Sequence, residues 1–221
     1  MMAPKIKIPG ILLTLLVSVI ALSCTGVKRD YHENGSLRSE IQTRGGRYHG
    51  LATWYYADGM RQHECFFERD TLQGKSTRWY HNGKIHSVEF FKNNQLHGKS
   101  LKYDMNGKLI SEENFATGVP HGAFIQYYTN GQAQIEGTYH NGFYDNKWFY
   151  YEDDGTLVGI GEFKMGSGKQ RAWYTNGTLK REVHYLDNEK HGEEKWYYPD
   201  GSLSKVLTYD NGRLLKTQEF D

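Results

Sequence analysis

Two recurring sets of residues in this chain have the side chains that chemistry requires. His49, His97, His121 and His191 share one position of a repeated pattern, and Glu40, Glu64, Glu112, Glu136 and Glu182 share another. Imidazoles and carboxylates are zinc ligands, and two carboxylates flanking a water perform inverting glycoside hydrolysis. Whether either set can act depends on how far apart the backbone holds its members.

The backbone is punctuated by glycine. Gly35, Gly59, Gly83, Gly107, Gly131, Gly155, Gly177 and Gly201 are spaced by 24 residues, except for one interval of 22 between Gly155 and Gly177. Asn or Asp precedes each, which predicts a type I′ hairpin turn with both central residues at positive φ. An aromatic stands four residues before every one of these glycines, from Tyr31 and Tyr55 to Tyr197. Another follows eight residues after it in every unit but the first, where Thr43 stands instead. The period suits a leucine-rich repeat in length, but no leucine register is present, so the units read as β-hairpins.

A second turn lies ten to eleven residues beyond each turn glycine, as at Gly45-Gly46, Asn93-Asn94 and Asn211-Gly212. The returning strand is longer than the outgoing one, which predicts a β-bulge at Gly50, Gly74, Gly98, Gly122 and Gly192. The two residues missing from the short interval fall between Gly166 and Gly168, at that bulge, and an even deletion leaves every side chain on its own face. The fold class is therefore all-β: an elongated antiparallel β-meander of about eight 24-residue hairpin repeats in a single-layer twisted sheet. About sixteen strands at roughly 4.8 Å each would extend on the order of 75 Å. The first unit reads as a worn cap, and a strand from Leu214 to Phe220 closes the other end.

This architecture answers the chemical question. Equivalent residues in adjacent units lie two strands apart, about 9.6 Å, whereas zinc needs its ligands at about 2.0 to 2.2 Å. Catalysis by paired carboxylates needs an acid and a base in different environments, and identical repeated glutamates do not supply that difference. The glutamates are expected as cross-strand partners of Lys or Arg. With no G-x-S-x-G, Walker loop or zinc-spaced cysteine pair present, we expect a non-enzyme without metal or cofactor.

Residues 1–23 differ in kind from the rest of the chain. Lys5 and Lys7 precede an apolar stretch from Ile11 to Leu22, too short to span a bilayer, and this is the pattern of an export signal. Leu22-Ser23-Cys24 resembles a bacterial lipobox, with Ala21 where leucine is usual, which implies lipidation at Cys24 and anchoring in the cell envelope. Thr25, in the place where aspartate would favour the inner membrane, points to the outer membrane. The expected organisation is a signal over 1–23, a short tether over 24–30 and a repeat domain over 31–221. The chain has only Cys24 and Cys65, so no disulfide framework is available, and Cys65 is expected as a small strand residue. Without the signal, 25 basic residues face 26 acidic ones. No basic stripe exists for nucleic acid.

The motif Y-x-x-N-G-x-L-x-x-E-x-x-F…H-G, seen from Tyr103 to Gly122, resembles the MORN-variant repeat of bacterial proteins, and the resemblance covers residues 31 to 212. It implies a scaffold or binding sheet. It also brings the antitoxin-type label that many such proteins carry, which would imply an immunity-type role. An exported lipoprotein does not meet a cytosolic toxin, so the leading expectation is a scaffold with a protein partner. A different reading comes from Trp54-Tyr55-Tyr56-Ala57-Asp58-Gly59-Met60, similar to the hairpin of choline-binding repeats and echoed by Trp196-Tyr197-Tyr198. It implies an aromatic cage for cell-wall glycan or choline-like groups.

Trp54, Tyr56, Tyr80, Tyr128, Tyr150, Tyr174, Trp196 and Tyr198 lie one residue to either side of the in-register aromatics, which places them on the opposite face. Two accounts of this second row stand side by side. It packs along the sheet with its hydroxyls in water, or it is the face that meets a partner.

Overall fold

The structure is a computed structural model that describes residues 24–221, and the expected export signal over 1–23 lies outside the described residues. Eighteen strand segments, from Thr25–Tyr31 to Arg213–Glu219, follow one another in a single open antiparallel sheet, without a helix among the described residues. Gln95–Leu96 and Gly98–Tyr103 both pair with Ile85–Lys92 and form one strand interrupted at His97. The expected tether over 24–30 is mostly strand instead. Thr25 to Tyr31 pair with Arg44 to Leu37, because the hairpin at Asn34-Gly35 needs both of its arms.

The Asn-Gly turns are not the type I′ turns expected of them. At Asn34-Gly35 only the glycine has positive φ, at 82°. His32 O accepts from Gly35 N–H at 2.9 Å, and Asn34 Oδ1 accepts from Ser36 N–H at 3.1 Å. This is a type I turn with an Asx bond and a glycine bulge, which shifts the register between Asp30 and Tyr31. Type I′ geometry occurs at the opposite edge, where Arg69 and Asp70 sit at φ 50° and 65°, and Asn93 and Asn94 at 52° and 65°. Asn-Gly satisfies either turn type, so composition alone did not separate them.

The His-Gly bulge is where it was expected. Ile41 pairs with Ala52 but Thr43 pairs with Tyr48, so His49, Gly50 and Leu51 lie opposite Gln42, whose Oε1 accepts from Leu51 N–H at 2.9 Å. Between Leu157–Lys164 and Ser167–Trp173 the register runs unbroken, because the two absent residues are the bulge itself.

Neighbouring units are tied at their turns as well as by strand pairing. Along the type I′ edge, each turn donates a backbone N–H to a carbonyl of the previous unit: Asp70 to Tyr48 at 2.8 Å, Asn94 to Leu72 at 3.1 Å and Gly118 to Leu96 at 2.9 Å. A single hairpin is marginal in water, and these ties make each unit lean on the next. Among the described residues the sheet has no covering layer. Its more buried face is lined by small residues, including Ala52 at 0% exposure, Cys65 at 2% and Ser76 at 1%, with larger side chains such as Tyr48, Trp54 and Phe67 leaning over them.

Candidate functional site

The glutamate series lies on the other face, two strands apart, and each member has a local partner. Glu40 accepts from Arg29 at 2.7 Å, Glu112 from Lys99 at 2.6 Å and Glu182 from Arg171 at 2.6 Å. Glu64 pairs with Arg61 at 3.5 Å, and Glu136 accepts from the Tyr151 hydroxyl at 3.2 Å. Burial pushes the Glu182 carboxyl up, but the Arg171 hydrogen bond and the charges of Arg171 and Lys169 outweigh it and hold the pKa below its ordinary value. The histidines of the second series sit at the bulges, where His121 Nδ1 lies 3.1 Å from Asn141 Oδ1. Among the described residues no three His, Cys, Asp or Glu side chains converge on one point.

The second aromatic row does not form one surface. Tyr56, Tyr80, Tyr128, Tyr174 and Tyr198 occupy the first corner of the type I turn. There each hydroxyl donates to a backbone carbonyl of the next unit: Tyr56 to Trp79, Tyr80 to Tyr103, Tyr128 to Tyr151 and Tyr174 to Tyr197, all at 2.8 Å, and Tyr198 to Phe220 at 3.3 Å. Counting alternate faces through the corner fails because the glycine bulge breaks the period of two there. These tyrosines are staples between units, and their hydroxyls are not left to water. Tyr80→Phe keeps the ring and deletes the donor, so it is expected to cost about 1 kcal/mol of unfolding free energy in urea with unchanged strand content. An unchanged midpoint would show that water replaces the staple.

Trp54, Tyr150 and Trp196 remain on the small-residue face. Burial pushes the Tyr150 phenol well above its ordinary pKa. Trp196 is covered by cations, with Arg181 at 5.1 Å and Lys205 at 5.9 Å from its ring, and its indole N–H donates to Glu194 at 2.8 Å. Glu194 is 1% exposed and was not singled out by the repeat, since the matching position two residues before Trp54 is Ala52. Trp54 borders an open groove of about 400 Å³, shared with Tyr56, Gln62, His63, Arg78, Trp79 and His86. Trp54 stacks on His63 with centroids 5.0 Å apart, and His63 Nε2 lies 2.9 Å from Ser76 Oγ. Burial first, and then the Arg78 charge, lowers the His63 pKa to about 4. Of these lining residues Trp54 and Tyr56 belong to the second aromatic row and Trp79 to the in-register one, whereas His63, Arg78 and His86 lie on three strands and meet only through register.

Cys24 is exposed at the head of the first strand, and its carbonyl accepts from Gly45 N–H at 3.0 Å. Cys65 packs with Ile41 and Ala52, and burial pushes its thiol up to about 11, as suits a packing residue.

No curated protein matches the chain. The MORN repeat variant family does match, over residues 25–44, 48–69, 72–93, 96–116, 120–141, 167–187 and 190–211. The hairpin of Phe143–Tyr151 and Leu157–Lys164 falls between two matched segments. Each matched segment carries the two arms of one type I hairpin, so sequence pattern and backbone geometry agree that this chain belongs to the MORN repeat variant family.

Proposed function

We propose that the protein is an exported cell-envelope lipoprotein, anchored through Cys24, whose sheet is a non-catalytic scaffold for a protein partner. The observation that supports the scaffold is an apolar patch on the glutamate face. Leu51, Phe66 and Phe90 are 42%, 44% and 41% exposed there, and Leu51 stands directly opposite Phe66 in the ladder. Large exposed apolar side chains side by side cost solubility and mark contact surfaces. The proposed contact is this patch and not the corner tyrosines, whose hydroxyls are engaged. The anchor reading is supported by the lipobox-like Leu22-Ser23-Cys24 and by the exposure of Cys24.

One experiment separates the two parts. Cys24→Ser is expected to move the protein from the membrane to the soluble fraction, since a lipid would be its only attachment. Phe66→Glu with Phe90→Glu is expected to abolish recovery of the cross-linked protein partner from envelopes while circular dichroism stays unchanged. A Cys24→Ser protein that stays with membranes defeats the anchor, and a double variant that still recovers the partner defeats the contact patch.

A further inference from the structure

The groove beside Trp54 is built differently from the rest of the small-residue face. Three adjacent strands set Trp54, His63 and Arg78 side by side, through the pairs Trp54↔His63 and His63↔Arg78. Ser39 lies opposite Trp54 at one end and Ser87 opposite Arg78 at the other, and these small residues leave room on either side. The backbone spacing from Trp54 to Arg78 is two strands, about 9.6 Å.

The charges of this groove are unspent. Arg181, on the same face, is clamped by Glu194 at 2.7 Å, but Arg78 forms no ion pair among the described residues. Its surroundings are the Ser76 and Ser87 positions and the His63 imidazole, which is uncharged at neutral pH. Glu89 lies on this face opposite Ser76 and makes no ion pair with Arg78. An exposed guanidinium beside a tryptophan face disfavours a cationic guest such as choline. It favours a carboxylate, which can meet the guanidinium fork with two parallel hydrogen bonds.

Aromatic and polar groups complete the recognition. The half-buried Trp54 indole, stacked on His63 through one face, lines the groove as an apolar wall for the C–H side of a pyranose, while Gln62 and His86 offer side-on hydrogen bonds to hydroxyls. An acidic peptide would use the guanidinium but has no need of the aromatic stack. We propose that this groove binds an acidic saccharide, a uronate whose ring lies against the groove-lining edges of the Trp54–His63 stack and whose carboxylate meets Arg78. The site is independent of both the Cys24 anchor and the Leu51–Phe66–Phe90 patch.

The test is isothermal titration of the protein with tri-galacturonate, with maltotriose and with an acidic tripeptide as comparison probes. Tri-galacturonate is expected to bind, and maltotriose at least about tenfold more weakly, as loss of one charge-assisted bidentate contact predicts. Arg78→Gln removes a group with no ion pair, so it is expected to fold as the wild type does and to weaken tri-galacturonate by about tenfold. Trp54→Leu is expected to weaken it as well. If that variant unfolds, because Trp54 also packs on the Ala52–Cys65 cluster, Arg78→Gln decides alone. The proposal is overturned by no binding of tri-galacturonate at millimolar concentration, by equal binding of maltotriose, or by an Arg78→Gln protein that binds as tightly as the wild type. It is also overturned if the acidic tripeptide binds as well as the sugar and Trp54→Leu changes neither, since the groove would then read charge alone.

Discussion

Trp148→Ala is expected to lower the unfolding free energy by about 4 kcal/mol, in the range for a buried tryptophan whose cavity cannot collapse. Trp148 is 3% exposed although no second layer covers the sheet among the described residues, so its cover comes from neighbours on its own face. Its ring lies 5.6 Å from Phe124, 5.0 Å from Tyr139 and 4.7 Å from Tyr144, and Tyr144 in turn meets Phe163 at 5.3 Å and Tyr185 at 6.4 Å. Room for the indole comes from missing side chains. A Cβ on Gly137 would collide with the Trp148 indole, and Gly161 is the direct cross-strand partner of Trp148. The rings belong to strands from Val119–Tyr127 to Leu179–Leu186, so the cluster joins the hairpin outside the matched repeats to matched units on both sides. Urea denaturation measures the loss. Hydrogen exchange should show it concentrated over residues 120–187, with the units before Lys92 keeping their protection, because repeats couple chiefly to their nearest neighbours. A loss below about 1 kcal/mol, or one spread evenly along the chain, would refute this cluster as the local core.

Much of this was legible from spacing. The glycine period pointed to the hairpins, and the two-residue deletion before Gly168 located the bulge, because both are backbone properties that glycine placement encodes directly. What stayed hidden depends on cross-strand register. The corner tyrosines were placed on a face by counting alternate residues, but the type I turn with its bulge removes them from that alternation and aims their hydroxyls at the next unit. Arg78 and His63 are fifteen residues apart in the chain and directly opposite in the sheet. Glu194 occupies a position that holds Ala52 in the second unit and Ser76 in the third, so it belongs to no recurring series. The repeat pattern reports what all units share, whereas the groove, the buried Glu194 and the Trp148 indole at the centre of its cluster are particular to single units.

Glu194→Gln is expected to cost roughly 3 kcal/mol, the scale of breaking a buried ion pair and leaving its partners uncompensated. The carboxylate is 1% exposed and fully used: Oε1 accepts from Arg181 at 2.7 Å and from the Trp196 indole at 2.8 Å, and Oε2 accepts from Lys190 at 2.8 Å. An amide in its place keeps one acceptor oxygen and turns its NH2 either toward Lys190 or toward Arg181 and the Trp196 indole N–H, where donor meets donor. Glu162→Gln gives the internal comparison. Its ion pair with Lys147 is 3.9 Å long with both side chains more than 60% exposed, and such surface pairs contribute about 0 to 1 kcal/mol. Acid titration supplies a second readout. Burial raises the Glu194 pKa, but the Arg181 and Lys190 hydrogen bonds outweigh it and hold the carboxyl below 4.5 in the folded state. The folded protein therefore keeps Glu194 ionised where the unfolded chain binds a proton, so its contribution is complete above pH 4.5 and fades as pH falls through the lowered folded-state value. The wild type should lose stability across that window, and Glu194→Gln should lose less there while starting lower at pH 7. Parallel acid limbs in the two proteins, or equal costs for Glu194→Gln and Glu162→Gln, would show that burial of this carboxylate adds nothing beyond a surface pair.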